Sequence, residues 1–233
     1  MPARSADETG HRSGRRAATG GSDATTRERV LRAAIMLFAE RGFHGTGIRD
    51  LAAAAGLTTS TLYHYMSNKD DLLVEIMLGT ITPLRDVAAR IVAEIEDPAV
   101  ALCAIVEHHV WAHASDRLAT LVTDTELRAL SGDRRQHVLD VRDAYEGLWR
   151  RTISAGAEAG LFGASHPELA TRALLQMATG VSHWFSAKGR LPLDELCRVY
   201  ADDALGLLRA QRVDGSAIRR EDLPVPAPNH YFR

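Results

Sequence analysis

A group of polar side chains near residue 60 has the residue types and the spacing of a DNA-reading surface. Thr59, Ser60, Tyr63 and His64 are expected on one side of a short helix, while Leu62 faces the opposite, buried side. The outer side carries hydroxyls, a phenol and an imidazole, and it has no acidic group that would repel phosphates. We therefore interpret this surface as one that enters the major groove of DNA.

A second short helix must precede this one in order to position it. Ile48, Leu51, Ala52 and Ala55 recur at the three- and four-residue spacing of an apolar helix face. Gly56 follows, and a glycine can adopt the left-handed conformation that ends a helix at little cost. The spacing therefore predicts a helix that stops at a tight turn just before the polar surface.

Thr58 is placed to begin the second of the two short helices, which carries the polar surface and which we call the reading helix. Its hydroxyl can accept a hydrogen bond from the free N–H groups of the first turn, and Leu57 can pack on Leu62 as a hydrophobic staple. Arg49 and Lys69 flank the two helices, where their cations can reach phosphates. The pattern predicts a helix-turn-helix, although two short helices joined by a glycine turn also occur in proteins that do not bind DNA.

The charge distribution agrees with a nucleic-acid partner for the N-terminal part of the chain. Residues 1–70 contain ten Lys and Arg against seven Asp and Glu, a net charge of +3, whereas residues 71–233 have a net charge of −5. Residues 1–24 are rich in Gly, Ser, Ala and Arg without periodicity, so we expect a disordered basic arm. Its arginines either touch phosphates or the minor groove, or belong to a solvated tail.

The rest of the sequence predicts helices alone, and hence an all-α fold. A first helix from residue 25 completes a three-helix helix-turn-helix domain at residues 25–70. A long helix capped by Asn68 joins it to a C-terminal helical domain at residues 71–211, and Pro83 should kink or break that helix. Further helices are expected at roughly 98–114, 116–130, 133–159, 166–187 and 193–211, followed by a loose, Pro-rich tail at 212–233.

The segment TGIRDLAAAAGLTTSTLYHYMSNKDDLL, with the helix before it, resembles the DNA-binding domain of the TetR family of bacterial transcriptional repressors. The similarity covers residues 25–73 and includes the LY···K spacing of Leu62, Tyr63 and Lys69. The resemblance implies that Arg49, Thr59, Ser60 and Tyr63 face base edges or thymine methyls. It implies that Thr46, Thr61, Tyr65 and Lys69 lie near phosphates, and the outward face adds His64 to the predicted DNA-binding set.

Membership of this family also implies a homodimer, and the last two long helices support one. They are apolar on more than one side, which is more than one core needs. A two-fold interface between them would match the two half-sites of a palindromic operator. The alternative is a wider core inside each protomer. The residues predicted at the interface are Leu174, Val181, Trp184, Leu205 and Leu208.

A small-molecule effector is the third implication of the family, and large side chains on the C-terminal helices support a cavity for it. Aromatic rings with a polar tip suit an apolar cavity, although such rings more often belong to a plain core. His109 and His113 have a spacing that can bind a metal, but no further ligand is obvious and we expect neither metal nor cofactor. The predicted ligand-binding residues are His109, Trp111, Thr123, Tyr145, Trp149 and Met177.

The segment TDTELRAL at residues 123–130 resembles the region around the ligand cleft in family members that control lipid and steroid catabolism. This resemblance implies a mostly apolar effector, such as a lipid acid or its CoA thioester. Arg128, Arg134, Arg135 and Arg142 either meet the phosphates of such a ligand or form a solvated face with neighbouring aspartates. The alternative function is a DNA-binding regulator that responds to no ligand.

Other classes of function find little support. The motifs HExxH and GxSxG, a phosphate-binding glycine loop and a plausible Cys/His pair are all missing, so we do not expect an enzyme. No apolar run approaches the ~20 residues of a membrane span, and the N-terminus lacks the apolar region of a secretory signal. We expect a cytoplasmic protein in which Cys103 and Cys197 are buried, reduced thiols.

Overall fold

A computed structural model describes the backbone of residues 19–230 and the side chains of residues 25–230. Within this range the chain forms α-helices and short 3-10 turns without a β-strand, apart from an isolated bridge between Gln211 and Ala217. The predicted all-α class is confirmed. The helices are α1 (Thr19–Gly45), α2 (Ile48–Ala54), α3 (Thr59–Leu62), α4 (Lys69–Glu94), α5 (Pro98–Ser115), α6 (Arg117–Thr125), α7 (Gly132–Glu158), α8 (Pro167–Thr179), α9 (Val181–Trp184) and α10 (Leu193–Leu207).

The predicted basic arm lies mostly outside the described residues, which begin at Thr19. From residue 19 to residue 24 the prediction of disorder is wrong, because the backbone there is already part of α1. Helix α1 bends at Gly42, whose φ of 75° lies in the left-handed region that glycine adopts without a steric penalty. After the bend, the ring of Phe43 packs against that of Phe38 at a centroid distance of 5.3 Å.

The N-terminal apolar core forms between α1, α2, α3 and α4. Phe38, Leu51, Leu62 and Met77 are almost inaccessible there, and full burial of such side chains contributes about 1.5–3 kcal/mol each. The predicted domain boundary at residue 70 does not separate two cores, because α6 and α7 complete this one. The side chains that they and the turn between them add are Val122, Leu130, Val138 and Val141.

Helix α4 joins the two halves of the protein without a linker. Asn68 caps its first turn, since its side-chain oxygen accepts a hydrogen bond from the N–H of Asp71 at 2.8 Å. The helix then continues for 26 residues through Pro83. A proline has no N–H to donate to the carbonyl of Gly79 four residues earlier. The interruption predicted at Pro83 is therefore a missing hydrogen bond inside one continuous helix.

Helix α5 lies at the centre of the C-terminal half. Every residue from 99 to 110 is buried, and α4, α7, α8 and α10 pack around the helix. A helix that is apolar on all sides is expected in such a position. The consequence is that His108, His109 and His113 of α5 are held inside the protein, with 7% exposure or less.

The segment that follows α10 packs onto this core, so the prediction of a loose tail is wrong for the described residues up to 230. The N–H of Gln211 donates to the carbonyl of Leu161 at 2.9 Å. Ile218 is buried in the core, and Leu223 packs against its edge. We call residues 211–230 the C-terminal strap.

An ion pair fastens the strap to α5. The guanidinium of Arg220 is paired with the carboxylate of Glu107, and the side chains of these residues are 15% and 1% exposed. The N–H of Arg220 also donates to the carboxylate of Asp202 on α10 at 3.0 Å. Further along the strap, the carbonyl oxygen of Pro228 lies 3.1 Å from Nδ1 of His108. The strap thus supplies the positive charge that a carboxylate inside a helical core requires.

Candidate DNA interface and effector cavity

Helix α3 is held by the turn that the sequence predicts. Gly56 has a φ of 67°, and Oγ1 of Thr58 accepts a hydrogen bond from the N–H of Thr61 at 3.2 Å. Leu62 is completely buried beneath the helix. The hydroxyls of Ser60 and Thr61 lie 2.9 and 2.8 Å from the hydroxyl of Thr58. This cap fixes the start of α3, and thereby the direction in which its outer side chains point.

The outer side of α3 and of the turn after it presents Thr59, Ser60, Tyr63 and His64 together, all of them exposed. Tyr63 is 52% exposed despite its large ring. Arg49 is exposed on the preceding helix, α2. A helix-turn-helix with an exposed polar second helix has the geometry of a major-groove reader. The structure brings these five residues to the surface, and their contact with DNA stays a prediction.

Two residues predicted near phosphates have partners inside the protein. Thr46 is 1% exposed, and its hydroxyl donates to the carbonyl groups of Leu37 and Gly42. The ammonium of Lys69 donates to the carbonyls of Phe43 at 2.6 Å and Thr46 at 2.9 Å, and it lies 4.1 Å from the ring centre of Phe43. The prediction for the Thr46 side chain is wrong because its hydroxyl points inward. Lys69 secures the end of α1.

Thr61 and Tyr65 are partly exposed, so a phosphate contact from either residue stays a prediction. The carbonyl of Tyr65 accepts a hydrogen bond from Arg27 of α1 at 3.2 Å. Arg27 is also paired with Glu75 of α4 at 2.8 Å. Arg27 therefore ties the turn after α3 to the two long helices of the domain, which limits how far the reading helix can tilt.

We expect Lys69→Ala to lower the free energy of unfolding by about 1.5–3 kcal/mol, because hydrogen bonds from charged donors contribute that much. The salt dependence of DNA binding should change little, since the ammonium faces inward. Urea unfolding measures the first quantity, and fluorescence anisotropy of labelled DNA at several salt concentrations measures the second. Lys188→Ala, in an exposed loop, is the control and should leave stability nearly unchanged. A salt slope smaller by roughly one unit, with stability intact, would make Lys69 a phosphate contact instead.

Tyr63→Ala should lower the discrimination between operator and random DNA by about 1–3 kcal/mol, the usual contribution of one base-reading side chain. Its ring is mostly exposed, so the melting temperature should stay close to that of the parent protein. The operator for this measurement can be selected from a pool of random duplexes. Tyr63→Phe separates the hydroxyl from the ring. Normal operator binding by the alanine variant in gel shift would show that this face of α3 does not read bases.

A cavity of about 370 Å³ lies among α4, α5, α6, α7 and α8. Its volume is within the range of roughly 300–1,000 Å³ that is common for small-molecule sites. Ile81, Leu84 and Leu175 form apolar parts of its wall. The remaining lining residues are Thr80, His109, His113, Thr120, Thr123, Asp124, Arg142, Tyr145, Glu146, Arg172, Gln176 and Thr179.

Three of the six predicted ligand-binding residues line this cavity: His109, Thr123 and Tyr145. The assignment is wrong for Trp111, Trp149 and Met177, which pack in or against the C-terminal apolar core. Trp149 is completely buried, and its ring meets those of His109 and Tyr145 edge-on at 5.5 and 6.2 Å. It supports the cavity wall from behind. Polar and charged side chains, most of which an aromatic pattern does not mark, make up twelve of the fifteen lining residues.

Neutral polar groups form the inner end of the cavity. His109 lies between the hydroxyls of Tyr145 and Thr179, 2.9 Å from Nδ1 and 3.2 Å from Nε2. Nδ1 of His113 faces the carbonyl of His109 at 2.9 Å, so this nitrogen must carry the proton. Burial lowers the pKa of His113 to about 4 and that of His109 well below its usual value. Both imidazoles are therefore uncharged at neutral pH.

Charged groups lie elsewhere in the lining. Asp124 of α6 is 3.6 Å from Arg142 of α7 and 3.6 Å from His183 of α9. Arg172 of α8 is 3.7 Å from Glu146 of α7. Of the four arginines that the sequence assigns either to a ligand or to a solvated face, only Arg142 lines the cavity. Arg172 lines it as well, although no sequence pattern marks this residue. Arg128, Arg134 and Arg135 do not line the cavity, and Arg134 pairs with Asp71 at 2.7 Å. For these three residues the structure favours the alternative of a solvated face over a contact with the ligand.

The cavity is connected to the DNA-binding half through α6. The carboxylate of Glu126, just after α6, accepts a hydrogen bond from the N–H of Phe43 at the end of α1, at 3.3 Å. Helix α6 also packs directly against α1 and α4. Thr123 and Asp124 of the same helix line the cavity. A displacement of α6 at the cavity would therefore also shift its contacts with the end of α1.

Other kinds of site find no support among residues 19–230. They contain no group of three or more His, Cys, Asp and Glu side chains that could hold a metal ion. Burial raises the pKa of both cysteine thiols, Cys103 and Cys197, to about 12, so both are protonated at neutral pH. None of the helices within this range is long and apolar enough to cross a bilayer.

The residues predicted at a dimer interface are mostly internal. Leu174, Val181, Leu205 and Leu208 are 1% exposed or less within the single chain, so the prediction that they contact a second protomer is wrong. The breadth of the apolar face on these helices arises because the protomer's own core surrounds them. Trp184, by contrast, is 56% exposed. The large apolar side chains that α8, α9 and α10 leave exposed are Leu169, Trp184, Val199 and Leu207.

Two family models match the chain, one in each half. The model for bacterial regulatory proteins of the tetR family matches residues 30–76, which contain the helix-turn-helix. The model for the Tetracyclin repressor-like C-terminal domain matches residues 96–208, which contain most of the cavity. The order of the two matches is that of the two halves of the fold.

Individual relatives agree with the family models. The HTH-type transcriptional repressor KstR2 of Rhodococcus jostii is 29% identical over 197 residues, which are 84% of this chain and 91% of the relative. The TetR family transcriptional regulator PfmR from Thermus thermophilus is 30% identical, with a TM-score of 0.70 over 79% of this chain and 99% of that one. AibR, in complex with isovaleryl coenzyme A and operator DNA, shares the fold at a TM-score of 0.70 and 23% identity, over 76% and 97% of the chains.

A capped, exposed reading helix on an all-helical body defines a helix-turn-helix regulator of transcription. The chain belongs to the TetR family of bacterial transcriptional regulators. The predictions of this family, of its fold and of a DNA-binding transcriptional repressor are confirmed by these matches.

Proposed function

We propose that this repressor binds a palindromic operator as a homodimer in the cytoplasm and is released by a mostly apolar small molecule with an anionic end. The observation that carries the proposal is the position of the cavity. It is lined by α4, which continues from the helix-turn-helix, and by α6, which contacts the end of α1. A ligand that fills the cavity therefore touches two of the helices that position the DNA-binding half.

The mechanism is a shift between two states of the dimer. In one state the two reading helices are at the spacing of successive major grooves, and in the other they are not. A ligand that favours the second state weakens operator binding only by its difference in affinity for the two states. Such coupling is typically about 1–3 kcal/mol, which corresponds to roughly 5–150-fold in affinity.

The lining indicates the class of effector. Ile81, Leu84 and Leu175 suit an apolar body, and the neutral His109 and Tyr145 suit a polar, uncharged group near the inner end. The guanidinium groups of Arg142 and Arg172 suit a carboxylate or phosphate. The isovaleryl coenzyme A held by AibR is a ligand of this type. We infer a lipid acid or its CoA thioester, with the acyl group inside the cavity.

We infer that the second protomer packs on the surface formed by the exposed apolar side chains of α8, α9 and α10. Leu169, Trp184, Val199 and Leu207 are 43–62% exposed, and large apolar side chains at such exposure are typical of interfaces. A two-fold axis through this surface would pair each side chain with its symmetry-related neighbours. It would also place two reading helices on one duplex, as two half-sites require.

Operator release tests the proposed function directly. Octanoate, octanoyl-CoA and cholate are titrated into the protein bound to a labelled, selected operator, and anisotropy reports the bound fraction. We expect at least one of them to lower operator affinity by roughly 5–150-fold at saturation. Release by none of these compounds, together with no shift in melting temperature, would favour a regulator that responds to no ligand.

A filled cavity provides the matched test of where the effector binds. Leu175→Trp places a larger side chain in the wall of the cavity, and we expect it to weaken the effector about tenfold or more by overlap with the ligand. Leu193→Trp makes the same change at a partly buried leucine of α10 outside the cavity. It should leave the release curve as it is in the parent protein. If both variants give the release curve of the parent protein, the effector binds outside this cavity.

A further inference from the structure

The carboxylate of Asp124 bridges three helices beside the cavity. It extends from α6 to within 3.6 Å of Arg142 on α7 and of His183 on α9. The side chain of Asp124 is 28% exposed, and those of Arg142 and His183 are 37% and 49% exposed. These groups are therefore accessible to an incoming molecule, and their separation exceeds the 2.7–2.9 Å or so of a tight charge-assisted hydrogen bond. We call this arrangement the Asp124 bridge.

The residue next to Asp124 has an unused hydrogen-bonding group. Thr123 is 6% exposed and lines the cavity, and its hydroxyl has no hydrogen-bond partner among the described residues. A buried hydroxyl without a partner is costly and is usually satisfied by a ligand or a water. The hydroxyl of Thr123 and the guanidinium of Arg142 thus offer hydrogen-bond donors beside the same cavity, and an anion accepts from such groups.

Asp124 is also close to the contact between the cavity and the DNA-binding half. Glu126 lies two residues further along, and its carboxylate accepts a hydrogen bond from the N–H of Phe43. The bridge to Arg142 and the contact with Phe43 therefore hold the same end of α6 on its two sides. Release of the bridge leaves the hydrogen bond to α1 in place but removes the ion pair that ties this end of α6 to α7.

We propose that Asp124 occupies the position of the effector's anionic group and that the effector acts by displacing it from Arg142. A carboxylate or phosphate takes the guanidinium of Arg142 and the hydroxyl of Thr123, and Asp124 moves away with the end of α6. The other charged pair of the cavity, Arg172 and Glu146, joins α7 to α8. This inference rests on the proposed function, and it adds that the charge of the effector, rather than its volume alone, triggers release.

The first arm of the test needs no ligand. Asp124→Asn keeps the size of the side chain and removes its charge, so the bridge to Arg142 is weakened. We expect operator affinity without ligand to fall by about twofold to fivefold, the range for a partly exposed ion pair. Arg142→Gln should have the same effect, and the double variant should bind no more weakly than either single variant. Asp222→Asn breaks an Asp–Arg pair in the C-terminal strap and should leave operator affinity unchanged.

The second arm compares two probes of equal shape, octanoate and the uncharged octanamide, by calorimetry with the intact protein. Wild type should prefer octanoate, and Asp124→Asn should bind octanoate about twofold to fivefold more tightly than wild type, because its competitor for Arg142 is gone. Binding of octanamide should not change. Arg142→Gln should lose most of the preference for octanoate over octanamide.

The outcomes separate this inference from the proposed function. In one outcome, effectors release wild-type protein from DNA while Asp124→Asn matches wild type in both arms. This result would overturn the proposed role of the Asp124 bridge and leave the proposed function intact. If wild type prefers octanamide, or does not distinguish the two probes, the bridge is overturned as well. If neither probe binds, the ligand-free arm decides, since an unchanged operator affinity of Asp124→Asn contradicts the bridge for any effector. Melting temperatures of all variants confirm that each one is folded.

Discussion

Replacement of Val181 by glutamate is expected to destabilise the C-terminal half of the protein strongly rather than to separate two protomers. Val181 is completely buried at the start of α9, within the same core as Leu174 and Leu205. A carboxylate at this position would lose its water without gaining a positive partner among the core residues. The cost of an unpaired buried charge is about 3–5 kcal/mol, which is a large share of the total stability of about 5–15 kcal/mol for a typical domain.

Leu207→Glu introduces the same charge on an exposed position of α10, where the leucine is 46% exposed. We expect this variant to keep its melting temperature and to lose the dimer, as measured by light scattering. Val181→Glu should show a lower urea midpoint and a loss of helical circular dichroism at moderate temperature. A well-folded monomer from Val181→Glu would mean that this valine contacts a second protomer after all.

Loss of the positive partner of Glu107 should have a comparable effect. Arg220→Ala leaves a carboxylate that is 1% exposed inside α5, without the guanidinium that pairs with it. Removal of one member of a buried ion pair costs about 3–5 kcal/mol. We therefore expect a marked drop in the free energy of unfolding by urea at neutral pH, although Arg220 lies in the strap near the C-terminus and far from the DNA-binding half in sequence.

Two further variants test whether the loss of stability comes from the unpaired buried charge of Glu107 or from a looser C-terminal strap. Arg212→Ala removes an arginine of the same strap whose pair with Asp222 is exposed, and exposed pairs contribute little. Its stability should stay near that of the parent protein. The double variant Glu107→Leu, Arg220→Met replaces the pair by apolar groups and should recover most of the loss. If Arg220→Ala is as stable as Arg212→Ala, Glu107 must find another partner or water.

The DNA-binding half could be predicted from the sequence because its determinants are local. Gly56 and Thr58 act within a turn of their own positions, and their conformations and hydrogen bonds in the structure are those that their types predict. The side of α3 that faces outward follows from helical spacing once Leu62 is placed inside. The inward contacts of Thr46 and Lys69 could not be predicted in this way, because their partners are carbonyl groups at the bend of α1.

The C-terminal half was harder to predict because its determinants are contacts between distant segments. Apolar spacing on α8 and α10 marks faces that need covering, but it does not show whether the protomer or a partner covers them. Glu107 and Arg220 are 113 positions apart, and a Pro-rich, aperiodic segment gives no local sign of such a contact. The aromatic residue Trp149 indicated a cavity nearby, yet its own ring fills the core behind the wall.

The shared core of α1, α4, α6 and α7 has a consequence for recombination between regulators of this kind. A chimera joined at residue 70 would carry the reading helix but leave behind Val122, Val138 and Val141, which complete the core beneath it. The grafted segment would meet foreign side chains there, as well as a foreign partner for Phe43. Specificity for a new operator is therefore easier to transplant as a few exposed positions on α3 than as an entire module.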